Sequence, residues 1–417
     1  MRPELIALLR LVACCVVGTG LSRLVCRGRA VLSLPESGLL SLTLCVTFAI
    51  SPWLCAAWAA MAVIAGIGDA KDRNASPQLA LSLLAMIAVL WVIHEAEPLL
   101  WDEHIWLLKA KLANLGTLRA ASFDHRSDAI PIGYPIGIPV MYARLGGDAV
   151  ALGAVLVRAL CLGAFAASVL RARPESLWRV ALVLVATPLI LMHARAAYVD
   201  LPMGLLSAAL YLELSAQRPV ALRAMVLATL LATFKDEGVA HVLVIGVYTE
   251  LVQPRLARRA VALALTSAGV AFVYWRVLLY LHNVIPSEHA LGRPAWAHVG
   301  SIFAELFWHL SDLRSFGLLF AATVASVFAA IWVRALRRDA GTWLVLLFAL
   351  LWGVIAGPDR VREFAASGTL LGRLLVQLAP LAALLVASAM QHFSAPAAPE
   401  TLPLSMGIAI EGEAAVD

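Results

Sequence analysis

The chain has 417 residues, of which 62% are hydrophobic and only 14% are charged. This composition excludes an ordinary soluble domain, because no soluble fold of this length needs so much apolar surface. The apolar residues run on without the alternation of barrel strands, which favours membrane-spanning helices. The formal net charge of +5 reflects arginine-rich loops and does not indicate nucleic-acid binding.

The apolar segments predict an all-α polytopic membrane protein with about thirteen transmembrane helices. The first segment has no cleavage-type small-residue site followed by a polar chain, so we expect it to be retained as a helix. Several segments are short for a hydrocarbon core of about 30 Å and must gain flanking turns or lie obliquely. The predicted spans are 4–22, 38–52, 54–68, 78–96, 148–170, 180–195, 201–216, 221–234, 238–252, 260–281, 315–333, 341–356 and 372–390.

Short arginine-rich loops predict the orientation of these spans. If the spans alternate in direction, all these loops fall on one face, and the positive-inside rule makes that face cytoplasmic. The amino terminus then lies outside and the carboxyl-terminal tail inside. The loop arginines are Arg23, Arg27, Arg29, Arg171, Arg173, Arg179, Arg218, Arg223, Arg255, Arg258, Arg259, Arg334, Arg337 and Arg338. Loops 97–147 and 282–314 are predicted on the opposite, outer face.

The outer segment from Trp101 to Lys111 interrupts the apolar sequence just after the predicted span 78–96. As a helix it places Asp102, Trp106 and Lys109 on one face, because residues three or four positions apart share a side. A carboxylate can take a proton from a hydroxyl, and an ammonium can hold a phosphate. The segment is therefore a candidate catalytic element.

Other ionisable residues are predicted at the same membrane face. Asp200 begins one span, Lys235 and Glu237 follow the span 221–234, and Arg362 and Arg373 precede and open the last span. Ionisable groups near the edge of the hydrocarbon are costly, and they commonly mark a site or a pathway.

These residues belong to motifs that occur in a fixed order along the chain. The motifs are Trp101-Asp-Glu with Trp106 and Lys109-Ala-Lys, Tyr134-Pro-Ile-Gly-Ile-Pro, Tyr198-Val-Asp-Leu-Pro, Lys235-Asp-Glu-Gly, and Arg373-Leu-Leu-Val-Gln-Leu-Ala-Pro. The ordered set, over residues 95–385, resembles the membrane-embedded GT-C glycosyltransferases, specifically the bacterial branch related to protein mannosyltransferases and aminoarabinose transferases. The three spans before residue 70 depart from that family's plan, in which the acidic loop follows the first helix.

The resemblance implies a GT-C-like bundle with a helical outer loop. Segment 1–77 would form amino-terminal transmembrane helices, and 78–390 would form the catalytic domain with outer loop 97–147. Segment 391–417, rich in Ala, Pro and Glu, is predicted to be a disordered cytoplasmic tail.

The function implied by the resemblance is transfer of a sugar from a polyprenyl-phosphate donor. The acceptor would be a glycan, lipid or protein at the outer face of a bacterial cytoplasmic membrane, and the reaction would invert the anomeric carbon. Asp102 would be the base, and Asp200 would orient the acceptor, a divalent metal or a cationic partner. Use of a metal stays open. The expected donor-phosphate and substrate-binding residues are Lys109, Lys235, Glu237, Arg362, Arg373, Trp106 and Tyr134.

Several of these residues also have a structural interpretation. Asp102 and Asp200 are suited to cap helix starts. Lys109 could extend from the bilayer edge to water, and Trp106 could belong to an interfacial aromatic belt. Lys235 could form a structural ion pair with Glu237.

Two other functions share the same residue types. A transporter or flippase for a lipid-linked or anionic solute also buries acids and bases at membrane depth. It needs charged groups facing both sides or at mid-span, whereas the predicted cluster lies on one face. A glycan polymerase or ligase would rely on outer arginines and histidines more than on Asp102 and Asp200.

Overall fold

The structure, a computed structural model, describes residues 2–29, 31–69, 101–123, 134–252, 257–284, 294, 296–367 and 369–394. Within these ranges 86% of the residues are helical and none lies in a strand. The predicted all-α class is therefore confirmed for the described chain. The predicted span 78–96 and the tail beyond residue 394 lie outside these ranges, and of Asp102 only the backbone is described.

The described helices follow one another with short connections. They are α1 (Pro3–Val25), α2 (Leu34–Ile50), α3 (Pro52–Asp69), α4 (Trp101–Asn114), α5 (Leu118–Ser122), α6 (Gly137–Gly146), α7 (Val150–Ala172), α8 (Leu177–Val185), α9 (Pro188–Arg195), α10 (Asp200–Leu214), α11 (Ala221–Phe234), α12 (Asp236–Val252), α13 (Arg258–Leu281), α14 (Val299–Ser311), α15 (Leu313–Phe316), α16 (Leu319–Trp332), α17 (Arg337–Ile355), α18 (Asp359–Ala366) and α19 (Thr369–Ser394). Three short 3₁₀ turns precede α8, α14 and α17.

Several helices have the length and apolar composition of membrane spans. Five of the described helical segments meet both criteria, and a bent pair of helices gives up to six. The protein thus has the features of a multi-pass helical membrane protein, while the predicted count of about thirteen spans is not confirmed. Shorter apolar helices, α2, α11 and α16 among them, lie beside the long ones.

Two segments differ from the sequence prediction. The predicted span 180–195 is broken, because the helices on either side of Thr187 meet at 86°. Pro188 explains the break, since proline lacks an N–H and disfavours a helical residue before it. The predicted loop 282–314 contains α14, whose Ile302 and Leu306 are buried four residues apart on one helix face.

The centre of the molecule is formed by α10 and α11, which are buried along their whole lengths. Helix α10 packs against α7, α11, α12 and α19. The amino-terminal helices share this core: the indole Nε1 of Trp58 in α3 donates to Thr229 Oγ1 in α11 at 2.8 Å. In a membrane, such packing and interhelical hydrogen bonds hold helices together.

Buried charges lie at both ends of α10, which separates them by about 20 Å at 1.5 Å per residue. Asp200 begins the helix, and Glu213 lies in its last turn. At the Glu213 end, the Arg223 guanidinium lies 3.1 Å from Glu36 and 2.6 Å from Glu213. Arg171 also pairs with Glu36. Arg223, expected in a loop, is therefore built into buried ion pairs at this end, and Arg171 joins them from a partly exposed position.

Candidate functional site

The side chain of Asp200 is the centre of the polar cluster at the other end of α10. It is fully buried. Lys235 Nζ lies 3.0 Å from Oδ1, Arg373 Nε lies 3.0 Å from Oδ2, and Gln377 Nε2 donates to Oδ1 at 2.8 Å. All three donors come from other helices or connections. Such hydrogen-bonded cations allow a carboxylate to stay charged away from water.

Lys235 reaches Asp200 because the chain is extended between two helices. Helix α11 ends at Phe234, Lys235 has φ −152° and ψ 163°, and α12 begins at Asp236. Gly238 permits this sharp restart, since a Cβ there would lie 1.9 Å from the Leu231 carbonyl oxygen. Glu237 lies 3.9 Å from Lys235 Nζ and is 30% exposed. The predicted Lys235–Glu237 pair is present, but Lys235 is closer to Asp200.

Arg373 and Gln377 reach Asp200 because α10 and α19 approach closely. Arg373 and Gln377 are four residues apart and therefore share a helix face. Gly204, one turn after Asp200, allows the contact: a Cβ there would lie 2.6 Å from the Gln377 carbonyl oxygen and 3.0 Å from Pro380 Cδ. Small residues at a crossing let two membrane helices come together.

A second group of predicted residues meets around Lys109 in α4. Its ammonium lies 5.3 Å from the Trp106 ring centre and 5.2 Å from the Tyr134 ring centre. The two rings meet edge to face with centroids 6.0 Å apart. Aromatic faces attract a cation at this range. Lys109 is only 1% exposed, so this ammonium lies inside the bundle and does not extend from its surface.

The Lys109 group is joined to the Asp200 cluster through two further contacts. A Cβ on Gly137, three residues after Tyr134, would lie 2.5 Å from the Thr233 carbonyl oxygen, so α6 begins directly against the end of α11. Glu103 in α4 accepts the backbone N–H of Ala197 at 2.6 Å. Five separate sequence motifs therefore converge at one end of the bundle.

Arg362 is the predicted site residue whose described contacts lie elsewhere. Its guanidinium donates to the Gly357 carbonyl and pairs with Asp359, both in or next to α18. These contacts hold the start of α18 and do not join the Asp200 cluster.

The cations of the site differ in accessibility. Lys109 and Lys235 are buried, whereas the Arg373 side chain is 28% exposed. The Arg373 guanidinium carbon also lies 5.1 Å from the Tyr198 ring centre. Asp200 with Lys235 and Arg373 carries one positive charge in excess. Of the four candidate cations, Arg373 is therefore the best placed to meet an anion from outside.

The cluster also contains polar residues to which the sequence analysis gave no role. Gln377 bridges Asp200 to His241, whose Nε2 lies 3.2 Å from Gln377 Oε1. His241 Nδ1 lies 2.7 Å from Ser207 Oγ. Arg158 lies buried in the middle of α7. An arginine in the middle of a 23-residue apolar helix was a signal for this residue.

The described residues contain no group of three or more His, Cys, Asp or Glu side chains that could hold a metal ion. Both oxygens of Asp200 receive donors from Lys235, Arg373 or Gln377. Of the partners expected for Asp200, the cationic one is present, because Lys235 and Arg373 each donate to one of its oxygens.

Comparison of the chain with protein-family models, with curated proteins and with solved structures gives no match. The functional argument therefore depends on the geometry of the site.

Proposed function

We propose that the protein transfers a glycosyl group from a polyprenyl-phosphate donor to an acceptor at the end of the bundle that contains Asp200. The observation that carries the proposal is the convergence of the ordered GT-C-like motifs on one buried carboxylate. Motifs that begin at Tyr198, Lys235 and Arg373 supply Asp200 and its two cations. The motifs at Trp101 and Tyr134 pack beside them.

The charge of the cluster suits the departure of a sugar phosphate. The donor phosphate gains negative charge as the bond to the anomeric carbon breaks, and fixed positive charge in a dry site stabilises that change. Arg373 would contact the phosphate, because it combines partial exposure with a fixed orientation between Asp200 and the Tyr198 ring. Lys235, which donates to the other oxygen of Asp200, would add positive charge to the site.

In this proposal Asp102 is the base that takes the proton of the acceptor hydroxyl. Its helix α4 is held at the site by Glu103, the next residue, through the backbone N–H of Ala197. One carboxylate base suffices for an inverting displacement, since a phosphate leaving group needs little help from an acid.

The test is a turnover assay with purified protein, a synthetic polyprenyl-phosphate sugar and a panel of glycan, lipid and peptide acceptors. Release of polyprenyl phosphate is measured together with donor binding. Asp102→Asn keeps the size of the side chain but removes the base, so transfer should fall by about a hundred- to ten-thousandfold. Donor affinity should stay close to that of the wild type.

Asp312→Asn serves as the matched control for this substitution. Asp312 caps the short helix α15 by accepting the Arg314 backbone N–H at 2.9 Å, so the control removes an exposed carboxylate that has no place in the proposed site. Transfer by the control should match the wild type. Normal transfer by Asp102→Asn would remove Asp102 from the mechanism.

A transporter for a lipid-linked or anionic solute is the second candidate, and one observation favours it. Buried charges lie at both ends of α10 instead of on one face only. The hydrogen-bonded side chains of Gln377, His241 and Ser207 extend from Asp200 into the bundle. Polar chains of this kind line ion and proton pathways in transporters.

Proteoliposomes distinguish the two candidates. A transporter releases no polyprenyl phosphate with any acceptor, yet moves the labelled donor or an anionic solute between leaflets or compartments. Transport that depends on Asp200, together with silent turnover, would replace the transferase proposal.

A further inference from the structure

One peptide group between α9 and α10 is held by opposite charges from two other helices. Arg158 Nη1 in α7 donates to the carbonyl oxygen of Ala196. Glu103 Oε1 in α4 accepts the N–H of Ala197 at 2.6 Å. These two backbone groups belong to the same amide plane, so a guanidinium and a carboxylate grip it from both sides. Tyr142 adds a third contact, its hydroxyl donating to the Ala197 carbonyl at 3.3 Å.

The two charges that grip this peptide are both taken out of solvent. Arg158 is 1% exposed and Glu103 is 3% exposed. Arg158 Nε and Nη2 have no hydrogen-bond partner among the described residues. Burial of charged groups is costly, and a neutral donor and acceptor would also hold a peptide. The burial of two charged side chains at this short turn indicates that the position of the turn matters.

The turn leads directly to Asp200. Only Tyr198 and Val199 separate the gripped peptide from the first residue of α10. The Tyr198 ring lies beneath the Arg373 guanidinium, with its centre 5.1 Å from the guanidinium carbon. On the other side, Glu103 follows Asp102 in α4. The gripped peptide thus links the helix of the proposed base to the helix of the second carboxylate.

We propose that Glu103 and Arg158 are positioning residues, which fix α4 and its Asp102 relative to Asp200 through this one peptide. The part of this inference that concerns turnover rests on the proposed glycosyl transfer. The part that concerns the placement of α4 is independent of it. A shift of about 1 Å between reacting groups can lower a rate by about a hundredfold, so a loosened peptide should reduce turnover.

The first experiment replaces both charges at once, with the variant Glu103→Gln/Arg158→Gln. The double substitution removes one positive and one negative charge together, so the net charge of the buried region is unchanged and we expect a folded protein. The turnover number should fall by at least about tenfold, while the KM for the polyprenyl-phosphate sugar stays within about twofold. Glu103→Asp is the second variant: it keeps both charges but withdraws the carboxylate from the Ala197 N–H, and should show the same split.

The matched control is a largely buried salt bridge at the opposite end of the bundle. Arg173 pairs with Asp339, which also accepts from Ser388 Oγ at 3.0 Å. The variant Arg173→Gln/Asp339→Asn should lower the melting temperature without the tenfold loss of turnover. Equal losses in the two double variants, or turnover within twofold of wild type in both Glu103 variants, would overturn the positioning role.

A distance measurement tests the placement of α4 without any turnover. Spin labels are attached to cysteines that replace Lys111 in α4 and Met192 in α9, which are both exposed. In a protein whose six native cysteines are replaced, intact Glu103 and Arg158 should give one narrow distance distribution, and Glu103→Gln/Arg158→Gln should broaden or shift it. An unchanged distribution would overturn the inference. If the wild type transfers no sugar to any acceptor, the proposed function fails while this measurement still decides the placement.

Discussion

Asp200 could have been no more than the cap of a helix, and the structure assigns its side chain differently. It is the first residue of α10, but its oxygens accept from Lys235, Arg373 and Gln377. Those three donors come from positions up to 177 residues away along the chain. A local cap needs none of them, since it bonds to the first turn of its own helix. Its partners therefore favour a site residue.

Arg373 provides a direct test of phosphate binding. Arg373→Gln removes the charge of the most exposed candidate cation, so the KM for the donor should rise. A charge-assisted hydrogen bond contributes about 1.5–3 kcal/mol, which corresponds to a rise of roughly ten- to two-hundredfold. Steady-state kinetics over a range of donor concentrations gives this value.

Two comparison variants accompany Arg373→Gln. Arg314→Gln removes an exposed arginine next to α14 and should leave the donor KM unchanged. Lys109→Met removes a buried cation that is enclosed by two rings. It should lower the melting temperature while the donor KM changes less than it does in Arg373→Gln. A larger rise in donor KM for Lys109→Met than for Arg373→Gln would indicate that Lys109, one of the donor-phosphate residues predicted from the sequence, binds the phosphate.

The sequence identified site residues by charge and overlooked those that act through neutral groups or from mid-helix. Lys235, Asp200 and Arg373 stood out as ionisable groups beside apolar segments. Gln377 did not, because an amide in a long apolar helix carries no charge signal. Its role depends on the contact between α10 and α19, which the sequence of either helix alone does not define.

Among the helices, the close crossing of α10 and α19 is the feature most sensitive to a small substitution. Gly204→Ala places a methyl group 2.6 Å from the Gln377 carbonyl oxygen and 3.0 Å from Pro380. Both neighbours are rigid, so the helices must separate. We expect a loss of about 1–3 kcal/mol in the free energy of unfolding, measured by denaturation in detergent micelles.

Gly269→Ala is the control for Gly204→Ala. Gly269 lies within α13, and nothing comes within 4 Å of a Cβ built there. Alanine favours a helix over glycine by about 0.5–1 kcal/mol, so this variant should be as stable as the wild type or more so. A Gly204→Ala protein as stable as Gly269→Ala would show that the crossing can relax.

The limits of sequence prediction are clearest in two segments whose polarity did not predict whether they form a continuous helix. Helix α14 lies in the segment 282–314, which was predicted to be a loop, although Ile302 and Leu306 give the helix one buried face. The span 180–195 had continuous apolar character, and Pro188 nevertheless broke it. Apolar composition predicts burial better than it predicts continuity, since one missing N–H interrupts a helix without changing the hydropathy.

Across the whole molecule, buried charges lie at both ends of the bundle. The two groups match the residues that the sequence analysis predicted at the outer and the inner membrane face. Of the residues predicted outside, Lys235 and Arg373 both contact Asp200. Those predicted inside, Arg171 and Arg223, share Glu36. Alternating spans produce this sorting because each crossing reverses the chain. Which end faces the cytoplasm is a separate question, since internal contacts are the same in either orientation.

Cysteine labelling in intact cells tests the orientation. In a background with the six native cysteines replaced, single cysteines are introduced at Leu115 and Arg258. Leu115 is 73% exposed directly after α4, and the Arg258 side chain is 79% exposed at the start of α13. The next residue, Arg259, donates to the Ala65 carbonyl near the end of α3, which places Arg258 at the end opposite Asp200.

A membrane-impermeant thiol reagent should label Leu115→Cys in intact cells and Arg258→Cys only after the cells are permeabilised. The positive-inside rule predicts this result, because arginines cluster in the short loops around Arg258. Labelling of both variants after permeabilisation confirms that each site can react. The reverse pattern in intact cells would place the Asp200 cluster at the cytoplasmic face. A donor whose sugar is presented at the outer leaflet could not then reach Arg373, and the proposed transfer would have to use a cytoplasmic donor.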